Sequence, residues 1–258
     1  MRETILQELR KIENQHNVRI LHAVESGSRA WGFASPDSDY DVRFIYVRQM
    51  TDYLRLDAPR DTIEWKLDEV LDINGWDLNK ALRHIGQSNA NLFEWNNSPI
   101  VYETTPEWAR ICGISRSYFS EKAAINHYYG TAASTWAKYL NNDTVRYKKY
   151  FYALRPLLAA QYIEAHHNEP PVLFSDLLRD IEIEPCLQSA IDKLLIAKKN
   201  TPESEQCPHI PEIRDFIQSE ILRQKVIASG LPDDRNRDWT VLNQAFLDVV
   251  THKCNRES

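Results

Sequence analysis

The chain has 258 residues, of which 43% are hydrophobic and 26% are charged. This composition is typical of a folded globular protein and excludes a disordered or fibrous chain. The formal net charge of −6 excludes a generally basic surface of the kind that binds long nucleic acids, and it leaves only local basic patches for such contacts.

The cysteines and the apolar segments indicate a cytoplasmic protein. The four cysteines are scattered, and no two of them have the CxxC spacing of a zinc or redox motif. No apolar run reaches the roughly 20 residues that span a bilayer, and the N-terminal segment lacks the apolar region of a secretory signal. We therefore expect no membrane segment and a cytoplasmic location.

The N-terminal part of the chain predicts a small mixed sheet with flanking helices. Apolar residues recur at a helical period over residues 2–15. A buried strand is predicted at residues 18–24, and further strands are predicted at 40–47, 62–67 and 70–73.

From residue 77 onward the predicted elements are mainly helices. Proline-containing or polar breaks separate helical segments near residues 104–112, 117–140, 144–167, 173–180, 186–198, 210–228 and 239–252. We place the domain boundary near residue 115, which gives domains at residues 1–115 and 116–258. The fold class predicted from this order of elements is α+β.

A glycine and two aspartates lie where the first predicted strand leads into the second. Gly27 lets the backbone approach a phosphate, and the Ser28 hydroxyl and nearby N–H groups can donate to its oxygens. Asp39 and Asp41 are two residues apart at the start of a strand, so their side chains point to the same face of the sheet. Two close carboxylates repel each other, and divalent magnesium offsets that charge through oxygen ligands. The pattern therefore predicts a site for phosphate and metal.

A site of this kind generally requires a third carboxylate, and Asp72 is the best candidate. It alternates with apolar neighbours in a predicted strand, where an unpaired charge is costly to bury. Glu64, Asp68 and Asp77 are alternatives, and Asp72 has a second interpretation as the cap of a turn at residues 74–75.

Two arginines flank the aspartates. Arg43 shares the face of Asp41, so it can either contact phosphate or form a plain ion pair with that carboxylate. Arg29 offers the same two interpretations.

Four strings carry a resemblance to a known family. GSRAWGFASPDSDYDVR, at residues 27–43, resembles the Gly-Ser and Asp-x-Asp signature of the DNA polymerase beta nucleotidyltransferase superfamily. With DINGWDL at 72–78, EWNNSPIVY at 94–102 and KKYFYALRP at 148–156, the chain resembles the RNA-repair-associated polymerase-beta-like branch over roughly residues 18–175. It departs from that branch in having Asn-Ala at residues 89–90, where relatives often have Asn-Pro, and this change affects a turn rather than the metal site.

The resemblance implies a nucleotidyltransferase domain at residues 1–115 that holds Mg²⁺, or Mn²⁺, at Asp39, Asp41 and Asp72. The helical domain at residues 116–258 would close the nucleotide cleft. The implied reaction transfers a nucleoside monophosphate from a nucleoside triphosphate, such as ATP, to a hydroxyl group of an RNA or tRNA end, a protein or a small molecule. The alternative is a catalytically silent nucleotide- or RNA-binding module of the same fold.

A second candidate site lies in a predicted helix in which basic and aromatic residues alternate. Lys148, Tyr152 and Arg155 are spaced at i, i+4 and i+7, which puts them on one helix face. Lysine and arginine at this spacing can hold a triphosphate while tyrosine stacks or donates a hydrogen bond. The other interpretation is a solvated basic face whose aromatic residues pack inward.

Overall fold

A computed structural model describes residues 1–35, 38–68, 70–200 and 205–252, and the chain forms two compact units. The first unit comprises Met1–Phe119 together with the segment that begins at Arg235, and the second comprises Ser120–Asp234. The elements of the first unit as far as Phe119 are α1 (Arg2–His16), β1 (Arg19–Glu25), α2 (Gly27–Ala30), β2 (Tyr40–Val47), α3 (Met50–Tyr53), β3 (Thr62–Leu67), β4 (Leu71–Asp77), α4 (Leu78–Gly86), α5 (Ala90–Asn96), β5 (Val101–Thr104), α6 (Pro106–Ser115) and a 3-10 turn (Arg116–Tyr118).

The five strands of the first unit form one mixed sheet with the order β3-β4-β2-β1-β5. The strands β2 and β4 are parallel, and the other neighbouring pairs are antiparallel. The parallel register pairs Asp41 with Asp72 and Arg43 with Asn74. The predicted α+β fold class with a small mixed sheet is therefore confirmed, and two of the predicted site residues are direct neighbours across strands.

Apolar side chains cover both faces of the sheet. On one face, Ile5, Leu9 and Ile12 of α1 are fully buried against residues that include Phe44. On the other face, α4, α5 and α6 pack on Ile45 and neighbouring apolar residues. Residues alternate between faces along β2, so Asp41 and Arg43 lie on the same face as Ile45.

The fourth strand is longer than predicted. The predicted strand ends at residue 73, and the second interpretation of Asp72 places a turn at residues 74–75, but β4 continues through Gly75 to Asp77. A Cβ at Gly75 would lie 2.2 Å from the Phe44 ring, so glycine at this position leaves the space that the ring fills. The interpretation of Asp72 as a turn cap is therefore wrong, because no turn begins beside it.

The second unit is almost entirely helical. Its elements are α7 (Glu121–Thr135), a π-helical turn (Trp136–Leu140), β6 (Thr144–Val145), α8 (Tyr147–His166), α9 (Phe174–Asp180), α10 (Pro185–Asn200), β7 (Cys207–Pro208) and α11 (Pro211–Gly230). The predicted helices of this region are present, and β6 pairs antiparallel with β7. Within the described ranges, no helix has the length and apolar character needed to cross a membrane.

The last helix, α12 (Thr240–His252), corrects the predicted division of the chain. The prediction assigned all residues after 115 to the helical domain, whereas α12 belongs to the first unit. Its buried residues Leu242 and Val249 join the apolar cluster that contains Leu82 and Ile85 of α4. Helical periodicity predicted α12 itself but could not show which apolar cluster it joins.

Candidate functional site

Gly27 lies where β1 ends, and its backbone packs directly against Asp41. It has a φ of 60°, and a Cβ at this position would lie 2.0 Å from Oδ2 of Asp41. The preceding Ser26 N–H donates to the Asp41 carbonyl at 2.8 Å, while the Ser28 side chain is buried in α2. The Gly27 backbone therefore lies against the Asp41 carboxylate, and the predicted approach of this backbone to a phosphate stays a prediction.

Arg43 bridges the two carboxylates that the parallel register brings side by side. Its Nη2 donates to Oδ1 of Asp41 at 3.1 Å and to Oδ2 of Asp72 at 2.8 Å. Its Nη1 donates to the carbonyls of Val42 at 3.0 Å and Asp72 at 3.2 Å. Since close carboxylates repel each other, the guanidinium supplies the positive charge that lets them lie together. Of the two interpretations of Arg43, this geometry corresponds to the ion pair with Asp41.

Asp39 precedes β2 and is half-buried, and Arg29 fixes the backbone beside it. Arg29 Nε donates to the Asp39 carbonyl at 3.0 Å, and Nη2 donates to the Ser38 carbonyl. The same guanidinium lies 3.7 Å from the centre of the Tyr40 ring, a distance typical of a cation–π contact. Arg29 therefore shapes the segment that carries Asp39, and the contact with phosphate predicted for it stays a prediction.

The three alternatives to Asp72 have other positions or other partners. Asp68 accepts hydrogen bonds from the N–H groups of Val70 and Leu71 through Oδ1, at 2.9 and 2.7 Å, and so caps the turn between β3 and β4. Asp77 caps α4, because its Oδ1 accepts from the Asn79 N–H at 2.8 Å. Burial raises the pKa of Asp77 to about 6. Glu64 is exposed on β3. Asp72, the register neighbour of Asp41, has the best position for a shared site.

The sequence interpretation missed one acidic residue, Glu25. It is 1% exposed, and its carboxylate accepts a hydrogen bond from the Asp41 N–H at 2.7 Å and another from the Tyr102 hydroxyl. Burial is the largest influence on its carboxyl and raises its pKa. A charged residue at the end of a mostly apolar strand, directly before the Ser26-Gly27 step, was the signal that could have identified it.

The second predicted site, on α8, is only partly accessible. Lys148 and Tyr152 are half-buried, but Arg155 is 1% exposed and its Nε donates to the Val172 carbonyl at 3.2 Å. The predicted common ligand-binding face is therefore wrong for Arg155, because α8 is buried on most of its sides. The neighbouring Lys149 contacts aromatic rings, since its Nζ lies 4.2 Å from the centre of the Tyr139 ring and 5.1 Å from the centre of the Tyr152 ring.

The donor chemistry fits a hard divalent cation. Asp39, Asp41 and Asp72 offer carboxylate oxygens, the ligands that Mg²⁺ and Mn²⁺ prefer, and two of these residues are register neighbours. Among the residues that the structure describes, no three acidic, histidine or cysteine side chains already converge on one point. Arg43 is the counter-charge between Asp41 and Asp72 in this arrangement.

Comparisons with known proteins support the family resemblance of the sequence. The chain is 41% identical over 253 residues to the uncharacterized protein YcgL of Bacillus subtilis (strain 168), a match that covers 97% of this chain and 96% of that protein. A crystal structure of a nucleotidyltransferase-like protein from Exiguobacterium sibiricum 255-15 covers 86% of this chain and 74% of its own, at 12% identity and a TM-score of 0.29. The model of the RNA repair pathway DNA polymerase beta family, RlaP, matches residues 1–248, and the chain belongs to this family.

Proposed function

We propose that the protein is a metal-dependent nucleotidyltransferase that moves a nucleoside monophosphate from a nucleoside triphosphate to a hydroxyl acceptor. The observation that carries this proposal is the pairing of Asp41 with Asp72 on parallel strands, with the Gly27 backbone packed against Asp41. Membership of a polymerase-beta family supports a general nucleotidyltransferase activity.

In the proposed reaction, the acceptor hydroxyl oxygen forms a bond to the α-phosphorus and loses its proton. The bond between that phosphorus and its bridging oxygen breaks, and pyrophosphate leaves with the electron pair. Mg²⁺ or Mn²⁺ bound by Asp39, Asp41 and Asp72 would supply the positive charge that such phosphates need. The protein then contributes mainly by positioning the reactants and by stabilising the negative charge of the phosphates, as is general for phosphoryl transfer.

The residues around the carboxylates have distinct proposed tasks. The missing side chain of Gly27 lets the backbone of residues 27–28 approach a phosphate group. Arg43 balances Asp41 and Asp72, and in this proposal its guanidinium also offsets charge that develops on the phosphates. Arg29 holds the backbone next to Asp39.

We propose an RNA end as the acceptor, because the family is described as belonging to an RNA repair pathway. The net charge of −6 argues for few phosphate contacts, since affinity for long nucleic acids rises with the number of phosphates neutralised. A short terminus needs few such contacts. Protein and small-molecule hydroxyls are the other outcomes of the test.

The experiment incubates the purified protein with each α-labelled nucleoside triphosphate and Mg²⁺ or Mn²⁺, with and without total RNA. The D39N/D41N double variant is run beside it. The matched control is D57N/D61N, which removes two aspartates whose side chains are 78% and 62% exposed and pair with Arg55 and Lys80.

We expect label transfer by the wild type and by D57N/D61N and its loss in D39N/D41N. Label in RNA, in the protein itself or in a small-molecule fraction identifies the acceptor class. A protein that binds nucleotide but transfers no label under any condition is the binding module instead, and a protein that binds neither metal nor nucleotide contradicts both interpretations.

A further inference from the structure

We infer that Glu25 is a positioning residue for the transfer site, which fixes Asp41 through its backbone. This inference rests on the proposed function, because Asp41 is one of the proposed metal ligands. Glu25 acts through Asp41 in this inference, since its own side chain is buried and both of its oxygens accept hydrogen bonds from the protein.

The burial of Glu25 requires an explanation. Only 1% of its surface is exposed, and an acidic side chain is costly to bury unless hydrogen bonds satisfy it. Both carboxylate oxygens have a donor, since Oε1 accepts from the Asp41 N–H at 2.7 Å and Oε2 accepts from the Tyr102 hydroxyl. The carboxylate therefore joins the start of β2 to β5.

The backbone of Glu25 is held from the β5 side. Its N–H donates to the Ile100 carbonyl at 2.9 Å, and its own carbonyl accepts from the Ser98 hydroxyl at 2.6 Å. With both backbone groups of Glu25 bound, a shift of its side chain would shift Asp41 relative to β5.

Asp41 is thus held at three points. The Glu25 carboxylate holds its N–H, the Ser26 N–H holds its carbonyl, and Arg43 holds one carboxylate oxygen. The Glu25 contact anchors the Asp41 backbone to a side chain, whereas Ser26 lies on the loop that itself must approach phosphate. Groups that fix a metal ligand from behind set its orientation, and their loss typically lowers metal affinity or activity about 10- to 100-fold.

The chemistry of the side chain predicts a graded series of variants. In E25Q, the amide oxygen can still accept from the Asp41 N–H, and the amide NH₂ can donate to the Tyr102 oxygen after that hydroxyl rotates. In E25A, the Asp41 N–H and the Tyr102 hydroxyl both lose a buried partner. Y102F removes one of the two donors to Glu25 and keeps the aromatic ring.

The test measures Mn²⁺ affinity of the full chain by titration, together with kcat and KM for the nucleoside triphosphate. We expect E25A to lower Mn²⁺ affinity and kcat about 10- to 100-fold, Y102F to lower both less, and E25Q to recover most of the loss. The control is T105A. The Thr105 hydroxyl caps α6 by accepting a hydrogen bond from the Trp108 N–H at 3.3 Å, and this variant removes that cap. T105A weakens the same unit without touching Asp41, so its Mn²⁺ affinity should equal that of the wild type.

The outcomes separate this inference from the proposed function. A wild type that binds no Mn²⁺ and transfers nothing overturns both. A wild type that binds Mn²⁺, with E25A and Y102F that bind it equally well, overturns the role of Glu25 alone. If E25A does not fold, the comparison of Y102F with T105A decides, and equal Mn²⁺ affinity in these two variants overturns the inference.

Discussion

Replacing Gly27 with alanine tests the geometry of the site most directly. The new Cβ would lie 2.0 Å from Oδ2 and 2.9 Å from Cγ of Asp41, whereas unstrained contacts between heavy atoms need about 3.5 Å. The Asp41 carboxylate or the Gly27 backbone must therefore move by more than about 1 Å. The φ of 60° at Gly27 adds a conformational cost, since a left-handed backbone costs a residue with a side chain about 1–2 kcal/mol.

Two quantities should change together in G27A. Overpacking in a tight site costs about 1–3 kcal/mol, so we expect the free energy of unfolding in urea to fall by about 2–3 kcal/mol. A misplacement of about 1 Å at reacting groups costs about 100-fold in rate, so the rate of label transfer should fall by about that factor. Mn²⁺ affinity should fall as well, because the displaced group is a proposed ligand.

The control is G113A, in α6 of the same unit. No atom lies within 4 Å of the position where its Cβ would be built, and alanine favours a helix over glycine by about 0.5–1 kcal/mol. G113A should therefore keep full transfer and equal or higher stability. Transfer and Mn²⁺ affinity in G27A equal to those of the wild type, in a folded protein, would refute the assignment of Gly27 and Asp41 to the site.

Three further predictions concern charge. R43Q removes the bridge between Asp41 and Asp72, so without metal it should lower the free energy of unfolding by about 1–2 kcal/mol. Urea unfolding in the presence of a chelator measures this change. Added Mg²⁺ should then stabilise R43Q more than it stabilises the wild type. Burial raises the pKa of Asp77 to about 6 in the folded chain, above its unfolded value. The stability that the protonated group contributes is therefore present at low pH and is lost, by about 2–3 kcal/mol, as pH rises from about 4 to 6. D77N keeps the helix cap and should not show this loss when the free energy of unfolding in urea is measured at each pH. K148A should raise KM for the nucleoside triphosphate several-fold with little change in kcat, as measured by steady-state label transfer, and an unchanged KM would contradict the triphosphate contact predicted for Lys148.

The local string around Asp41 was informative because its geometry is set within a few residues. Gly27 follows the end of β1, Asp39 directly precedes β2 and Asp41 lies at the start of β2, so short stretches of chain fix their places relative to these two strands. The position of Asp72 was predicted from its apolar neighbours, but its pairing with Asp41 depends on which strand becomes parallel to β2. The spacing within one strand does not contain that information.

Three other features also depend on contacts between distant parts of the chain, which local sequence patterns do not contain. The Asn74-Gly75 pair is typical of turns, yet Gly75 lies within a strand because the Phe44 ring needs its space. Arg155 has the spacing of a ligand-binding face, yet tertiary packing buries it. Glu25 was missed since its partner Tyr102 is 77 residues away along the chain.

The balance of charge in the first unit links these observations to the proposed chemistry. Asp41 and Asp72 lie side by side on parallel strands, and the Arg43 guanidinium pairs with both of them. Arg29 donates instead to backbone carbonyls and stacks on Tyr40. Arg43 brings one positive charge to two carboxylates, and a divalent ion would add positive charge beside them. If this balance governs the site, R43Q should bind Mn²⁺ more tightly than the wild type, because one competing cation is gone. Transfer should fall at the same time, because the charge that develops on the phosphates loses the guanidinium proposed to offset it.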